Sequence, residues 1–396
     1  LPGARLPSTR KLAEYLKVSR ITVTLAYQEL AAQGYIEVTA RSVYCVSNSA
    51  PVARLRAAEN ASAADGIDWK ARLKSRFSIA KQIRKPLDWR RYPYPFLYGQ
   101  MDTTLFDLAA WRDCARRALG VSDFEMMAGD FAAADDMQLV SYICSRTLPR
   151  RGIRAQPEEI LVTVGAQNAL WIAIQLLLGR GSHAVCENPG HPDIYASLQL
   201  SQAKVTAIDV DDAGLPPELL PERVDAVFVT PSHQAPTAAR MPMERRTQLL
   251  EAAEQQDFII VEDDYEFEMS FLAPPAPALK SLDRRGRVFY VGSFSKSLFP
   301  GLRLGYLVAP APVIPEARAL RALMLRHPPG HLQRTAAYFL ALGHYDAVIR
   351  RMRNEYAERH EIMQAALQRE GMTIAGVSAF GGSSFWIRGP EGMDSD

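Results

Sequence analysis

The 396-residue chain carries 46 Lys and Arg against 44 Asp and Glu, a formal net charge of +2, and is 48% hydrophobic and 23% charged. It is longer than one typical core and has the balance of a folded globular protein, which predicts two or three domains and excludes a disordered or fibrous chain. No run approaches the roughly 20 apolar residues that cross a bilayer and no signal-peptide pattern opens the chain. Cys45, Cys114, Cys144 and Cys186 lack any paired spacing, so a cytoplasmic protein with free thiols and no metal is expected.

Charge is unevenly divided. Residues 1–56 carry a net +5, leaving −3 for the remainder; a basic head suits contact with a polyanion, although a solvated helical face can carry the same excess. With Ser8 as N-cap, a helix is predicted as far as Tyr15, with Leu12, Ala13 and Leu16 facing inward. Lys17, Val18 and Ser19 make a turn. A second helix runs from about Arg20 to Gln33, with Val23, Ala26, Tyr27 and Leu30 at core spacing and Gly34 as its C-cap. Two β-rich stretches follow, Tyr35 to Thr39 and Val43 to Val46. Helix, turn, helix and hairpin are the layout of a winged helix-turn-helix, here over residues 1–47. Residues 48–75 read as a linker, because Ser47 to Gly66 is rich in Ala, Ser and Asn without apolar periodicity. The aromatic and basic stretch 67–95 shows no clear element.

The third segment, residues 76–396, alternates helical and strand signals. Short apolar runs occur at Ile160–Val164, Ala184–Glu187, Val205–Asp209, Ala226–Thr230, Phe258–Glu262, Val288–Gly292 and Gly305–Val308, with a helix at Ala166–Leu178. Such alternation predicts an α/β domain with a mostly parallel sheet and flanking helices.

The most specific segment begins at Val291 and ends at Tyr306. Lys296 follows a buried-type strand, with hydroxyls at Ser293 and Ser295 and a guanidinium at Arg303. An aldehyde phosphate cofactor needs this set: Lys296 supplies the amine for an imine, and the other three bind the phosphate. A soluble loop could carry the same residues, but three further pieces stand upstream. Thr163-Val-Gly-Ala-Gln-Asn168 is a glycine turn into a helix, where the amides of Ala166 and Gln167 make an anion site. Val261-Glu-Asp-Asp-Tyr265 ends a strand in acids. A carboxylate there can keep a pyridine nitrogen protonated, with Asp263 the choice and Asp264 the fallback, and Tyr265 could bond the ring oxygen. Glu187-Asn-Pro-Gly-His-Pro192 offers His191 to stack on the ring, and Thr230-Pro-Ser-His-Gln-Ala-Pro-Thr237 offers His233 or Gln234. Acids at strand ends are commonly loop starters, and lone histidines are commonly structural, so each piece depends on the others.

Together these residues resemble fold type I aminotransferases, the pyridoxal-phosphate enzymes. With Leu1-Pro-Gly-Ala-Arg-Leu-Pro-Ser-Thr-Arg-Lys-Leu-Ala13 in front, nearly the whole chain is similar to the MocR/GabR subfamily of GntR-type regulators. The resemblance implies a homodimer that binds pyridoxal 5′-phosphate, a small amino-acid-like effector and operator DNA. It places DNA contacts on Arg10 and Lys11 before the turn and on Ser19, Arg20, Thr22 and Thr24 at the recognition helix, chemistry that guanidinium and hydroxyl groups suit. The chain departs from the pattern in three places. His191 stands where an aromatic residue is usual, Pro236-Thr-Ala238 replaces Pro-Thr-Gly, and the wing segment Arg41–Cys45 lacks glycines, which argues against tight insertion into the minor groove. A further helix before Leu1 and a carboxylate-binding arginine in a small carboxy-terminal domain are expected of the subfamily and absent from this sequence.

Two functions suit the cofactor set. One is a regulator in which an effector amine reacts with, or binds next to, the Lys296 imine and changes operator binding. The other is a working aminotransferase. The basic helix-turn-helix favours the regulator.

Overall fold

A computed structural model describes residues 2–39, 43–49, 67–74, 86–97, 99–130, 133–375 and 381–389. The chain divides into two units, Leu1–Ile79 and Ala80–Asp396. Most of the expected linker, the boundary near residue 76 and the wing tip at residues 40–42 lie outside the described residues.

In the first unit, α1 (Thr9–Leu16) starts at Ser8, whose side chain accepts from Lys11 N, and ends at Lys17 in the left-handed region. Helix α2 (Arg20–Ala32) starts at Ser19, which accepts from Thr22 N. Gly34, at φ +74°, turns the chain out of α2, and Tyr35 N donates to Leu30 O at 2.9 Å. Strands β1 (Ile36–Thr39) and β2 (Val43–Val46) pair antiparallel, with Ile36 opposite Val46. Ala13, Val23, Tyr27 and Ile36 form the core, and Tyr27 Oη donates to Pro7 O. Leu16, Ala26 and Leu30, expected to face inward, are exposed, because two helices and one hairpin cover only one side of each helix.

The second unit is built on seven strands: β3 (Ile160–Thr163), β4 (His183–Asn188), β5 (Lys204–Asp209), β6 (Ala226–Val229), β7 (Ile259–Asp264), β8 (Val288–Ser293) and β9 (Gly305–Val308). Their order is β3-β9-β8-β7-β6-β4-β5. Strand β9 runs antiparallel to β3 and β8, and all other pairs are parallel. The mostly parallel α/β sheet expected of the sequence is therefore the fold. Alternate residues of β8 serve opposite faces. Phe289 and Val291 pack with the helix Gly165–Leu177, whereas Tyr290 packs with the helices Gly330–Ala341 and His344–Arg369. Each such large apolar side chain contributes roughly 1.5–3 kcal/mol on burial. With both faces covered, the strands read as continuous apolar runs, and the loops at their carboxyl ends stay open for polar side chains.

Candidate functional site

The carboxyl ends of β7 and β8 and the start of the helix Gly165–Leu177 border a cavity of about 290 Å³. Lys296, Asp263, Tyr265, Arg303, Ser293, Ser295, Ala166, Gln167 and His191 all line it. These nine residues span 138 positions of sequence, and the sheet gathers every one.

The anion end is shaped by backbone. Gly165 has φ +76°, and a Cβ there would sit 3.0 Å from Arg303 Nη2. Arg303 itself lies at φ +52°, so two left-handed residues bring a guanidinium against the helix start. First-turn amides of a helix have no acceptor within the helix, and with the helix dipole they favour an anion. A Cβ on Gly305 would meet Ala166 N at 2.9 Å, so β9 can pack against that turn only with glycine there. Ser293 Oγ accepts from Ser295 N at 3.1 Å, while Ser295 Oγ is buried without a hydrogen bond. Hydroxyls, amides and a guanidinium thus converge at one end of the cavity, a set that could hold a phosphate.

At the other end, strand alternation separates the acids of β7. Asp263 faces the cavity. Asp264 faces away and its Oδ2 is committed: Arg151 Nε donates to it at 2.6 Å and Tyr290 Oη at 2.8 Å. Glu262 accepts from the amides of Leu279 and Lys280, both at 2.8 Å. Asp263 Oδ1 is buried without a partner. Burial pushes the Asp263 carboxyl up to about 7, reinforced by the neighbouring carboxyls of Asp264, Glu187 and Glu262. A buried aspartate with an unsatisfied oxygen and acids for neighbours fits a cationic ring nitrogen. Lys296 Nζ stands 6.0 Å from the Tyr265 ring centroid.

His191 caps the helix Pro192–Leu200, its Nδ1 accepting from Asp193 N at 3.3 Å. Burial holds it below the ordinary histidine value; Asp193 opposes this and Lys296 adds to it. A neutral imidazole can lie against a ring without adding charge. A larger cavity, about 490 Å³, lies beyond His191 and Ile194 and contains none of the other eight residues.

His233 and Gln234 do not line the 290 Å³ cavity. Gln234 Nε2 donates to Glu187 Oε2 at 3.2 Å and to Pro189 O at 2.8 Å, so it supports a buried acid. His233 faces Glu266 at 3.4 Å. Ala238 keeps a backbone of φ +60°, the region that favours the glycine usual there. Sequence reasoning missed Arg151, which also donates from Nη2 to Ser232 Oγ at 2.6 Å and bonds Ala276 O. It also missed Asp193, which accepts from Gln167 Nε2 at 3.1 Å. An arginine within Pro149-Arg-Arg-Gly152 carries no local signal of burial.

In the first unit, Ser19, Arg20 and Thr22 lie exposed at the start of α2, and Thr24 is half-buried. Arg10 and Lys11 are exposed on α1, with Arg10 Nε 3.2 Å from Glu14 Oε1.

Comparison with known proteins agrees with both units. Residues 136–382 match the aminotransferase class I and II family, and residues 1–45 match the bacterial regulatory proteins of the gntR family. The chain is 54% identical over 395 residues to the HTH-type transcriptional regulator TauR of Rhodobacter capsulatus, covering 100% of this chain and 81% of that one. It is 34% identical to the probable rhizopine catabolism regulatory protein MocR of Rhizobium meliloti, over 92% of this chain and 73% of that protein. The chain belongs to the MocR subfamily of GntR-type regulators. As a MocR-type protein it is a DNA-binding transcriptional regulator that joins a helix-turn-helix to an aminotransferase-like unit. Among solved structures, it is similar to LysN, the α-aminoadipate aminotransferase of Thermus thermophilus, with a TM-score of 0.66 and 26% identity over 76% of this chain and 77% of that one; LysN was solved with N-(5′-phosphopyridoxyl)-L-leucine. The cofactor of this MocR-type chain is pyridoxal 5′-phosphate. Among the described residues no helix is long and apolar enough to cross a membrane.

Proposed function

We propose that this MocR-type regulator holds pyridoxal phosphate in the 290 Å³ cavity and uses it to sense a small amino-acid-like amine. The observation that carries the reading is the convergence there of Lys296 with a phosphate cradle at one end and the unsatisfied Asp263 carboxyl at the other. Arg303, Ser293, Ser295 and the amides of Ala166 and Gln167 would take the phosphate, Asp263 the ring nitrogen, Tyr265 the ring oxygen and His191 the ring face. Bound there, the cofactor supplies an aldehyde carbon that takes up primary amines.

Lys296 anchors the cofactor. Effector binding beside Lys296 changes operator affinity to the extent that the effector prefers one arrangement of the protein over another. Arg10, Lys11, Ser19, Arg20, Thr22 and Thr24 form the DNA-contacting surface of the head. The protein acts as a homodimer, for which exposed Leu119, Val121 and Phe124 supply an apolar surface that a second copy would cover.

The test is a gel-shift on the intergenic DNA upstream of the gene, across a panel of α-amino acids, ω-amino acids, diamines and sulfonate amines. Lys296→Ala should bind DNA as the parent does and lose every amine response. A Lys296→Ala protein that still responds overturns the sensing mechanism, and robust transamination without DNA binding turns the reading to an enzyme.

A further inference from the structure

Helix α2 presents an apolar side chain where its polar neighbours are already engaged. Ile21 is 72% exposed, and Leu25, one turn on, is 59% exposed. The inward side of α2 is taken by Val23 and Tyr27. Successive helical residues are rotated by about 100°, which puts Ile21 next to Arg20 and away from that core. The hydroxyls around it serve the helix start. Thr22 N donates to Ser19 Oγ at 3.1 Å, the Ser19 and Thr22 hydroxyls bond each other at 2.8 Å, and Thr24 Oγ1 donates to Arg20 O at 2.9 Å. Arg20 and Ile21 are therefore the first-turn side chains that the bonds of the helix start do not use.

That partner is DNA, since the segment holding α2 is net +5 and matches a DNA-binding family. In the major groove the only methyl group on any base edge is the C5-methyl of thymine; the donors and acceptors that dominate the other edges would be stripped of water by an isoleucine. We propose that Ile21 reads a thymine, packing on its methyl group beside the base edge met by Arg20. The inference rests on α2 being the helix that enters the groove. Cytosine at that position would leave its amino group against the isoleucine without an acceptor, so the contact selects by exclusion as well as attraction.

The full chain is used to select from a randomised duplex library, and the enriched motif is expected to contain an invariant T·A pair. Deoxyuridine in place of that thymine removes the methyl group alone. It should weaken binding of the parent about four-fold, the worth of one methyl group taken out of water. Ile21→Ser should bind the two duplexes equally, and Ile21→Val should keep most of the discrimination. Both variants alter an exposed side chain, so circular dichroism should match the parent. An Ile21→Ser protein with the parental thymine-to-uracil ratio, or a parent indifferent to uracil at every thymine, overturns the thymine contact. Arg20→Ala tests the reading beneath it. If Arg20→Ala and Ile21→Ser both bind as the parent does, α2 is not in the groove and both ideas fall. If Arg20→Ala loses binding while Ile21→Ser keeps the parental ratio, only the thymine contact falls.

Discussion

Replacing Asp263 with Asn should move the apoprotein and the loaded protein in opposite directions. Asp263 is buried at the cavity wall, and its carboxyl is pushed up to about 7 by burial and by Asp264, Glu187 and Glu262. A folded-state value above that of the unfolded chain means that the native apoprotein binds the extra proton, so stability falls as pH rises from about 4 to about 7. The interval from an ordinary aspartate corresponds to roughly 4 kcal/mol. Glu187 and Glu262, also pushed up to about 7, share the uptake, so about 2 kcal/mol is expected for Asp263 alone. Asp263→Asn keeps the shape and removes the charge. Its apoprotein should therefore be about 2 kcal/mol more stable than the parent at pH 8 and equal to it near pH 4. With cofactor the sign reverses, because the ring nitrogen loses its carboxylate; removing one partner of a buried pair costs about 3–5 kcal/mol, or at least a hundred-fold in affinity. Urea denaturation of apoprotein across pH, beside a spectrophotometric titration with pyridoxal phosphate, measures both. An Asp263→Asn apoprotein with the parental pH dependence, or one that binds cofactor as tightly as the parent, refutes the assignment.

Gly165→Ala should cost about 1–2 kcal/mol in backbone strain and push Arg303 aside, lowering pyridoxal phosphate affinity roughly ten-fold while leaving phosphate-free pyridoxal unaffected; competition titrations with the two compounds test this. Arg151→Leu leaves Asp264 buried without its cation and should destabilise the protein by about 3–5 kcal/mol, and the Arg151→Leu/Asp264→Leu pair should recover most of that loss in thermal melts. Ser19→Ala removes the cap of α2 and should lower its protection in hydrogen exchange by about 1 kcal/mol. Ser19→Asp should restore the protection yet weaken DNA binding most at low salt, because it sets a carboxylate against phosphate.

The seven strands and the place of Lys296 on the cavity were legible because strands buried on both faces leave apolar runs, and because a lysine just past such a strand, flanked by serines and an arginine, falls at the strand's carboxyl end. The choice of Asp263 over Asp264 was legible only in part, since alternation separates the two but not which face meets the cavity. Arg151 was out of reach: its partner Asp264 is 113 residues away. The loop after β6 offers His233 or Gln234 to the ring or a ligand, but neither lines the cavity, and the Gln234 amide satisfies buried Glu187. In the head, helical periodicity found Val23 and Tyr27 but counted Ala26 and Leu30 as core, because a repeat names a stripe without saying how much of it is covered.

The run of three acids closing β7 has a consequence for folding. Ile259, Ile260 and Val261 are apolar on both faces and Glu262, Asp263 and Asp264 are acidic on both, so sliding this strand by one residue exchanges like for like except at the Val261–Glu262 junction, and the hydrophobic pattern opposes it at that junction alone. Discrimination falls to the side away from the cavity. There Arg151 pairs with the aspartate at the last position, and the Leu279 and Lys280 amides bond the longer glutamate two residues before it. The alignment of Asp263, the carboxylate proposed for the cofactor, is thus supported from behind the sheet, by groups that do not line the cavity.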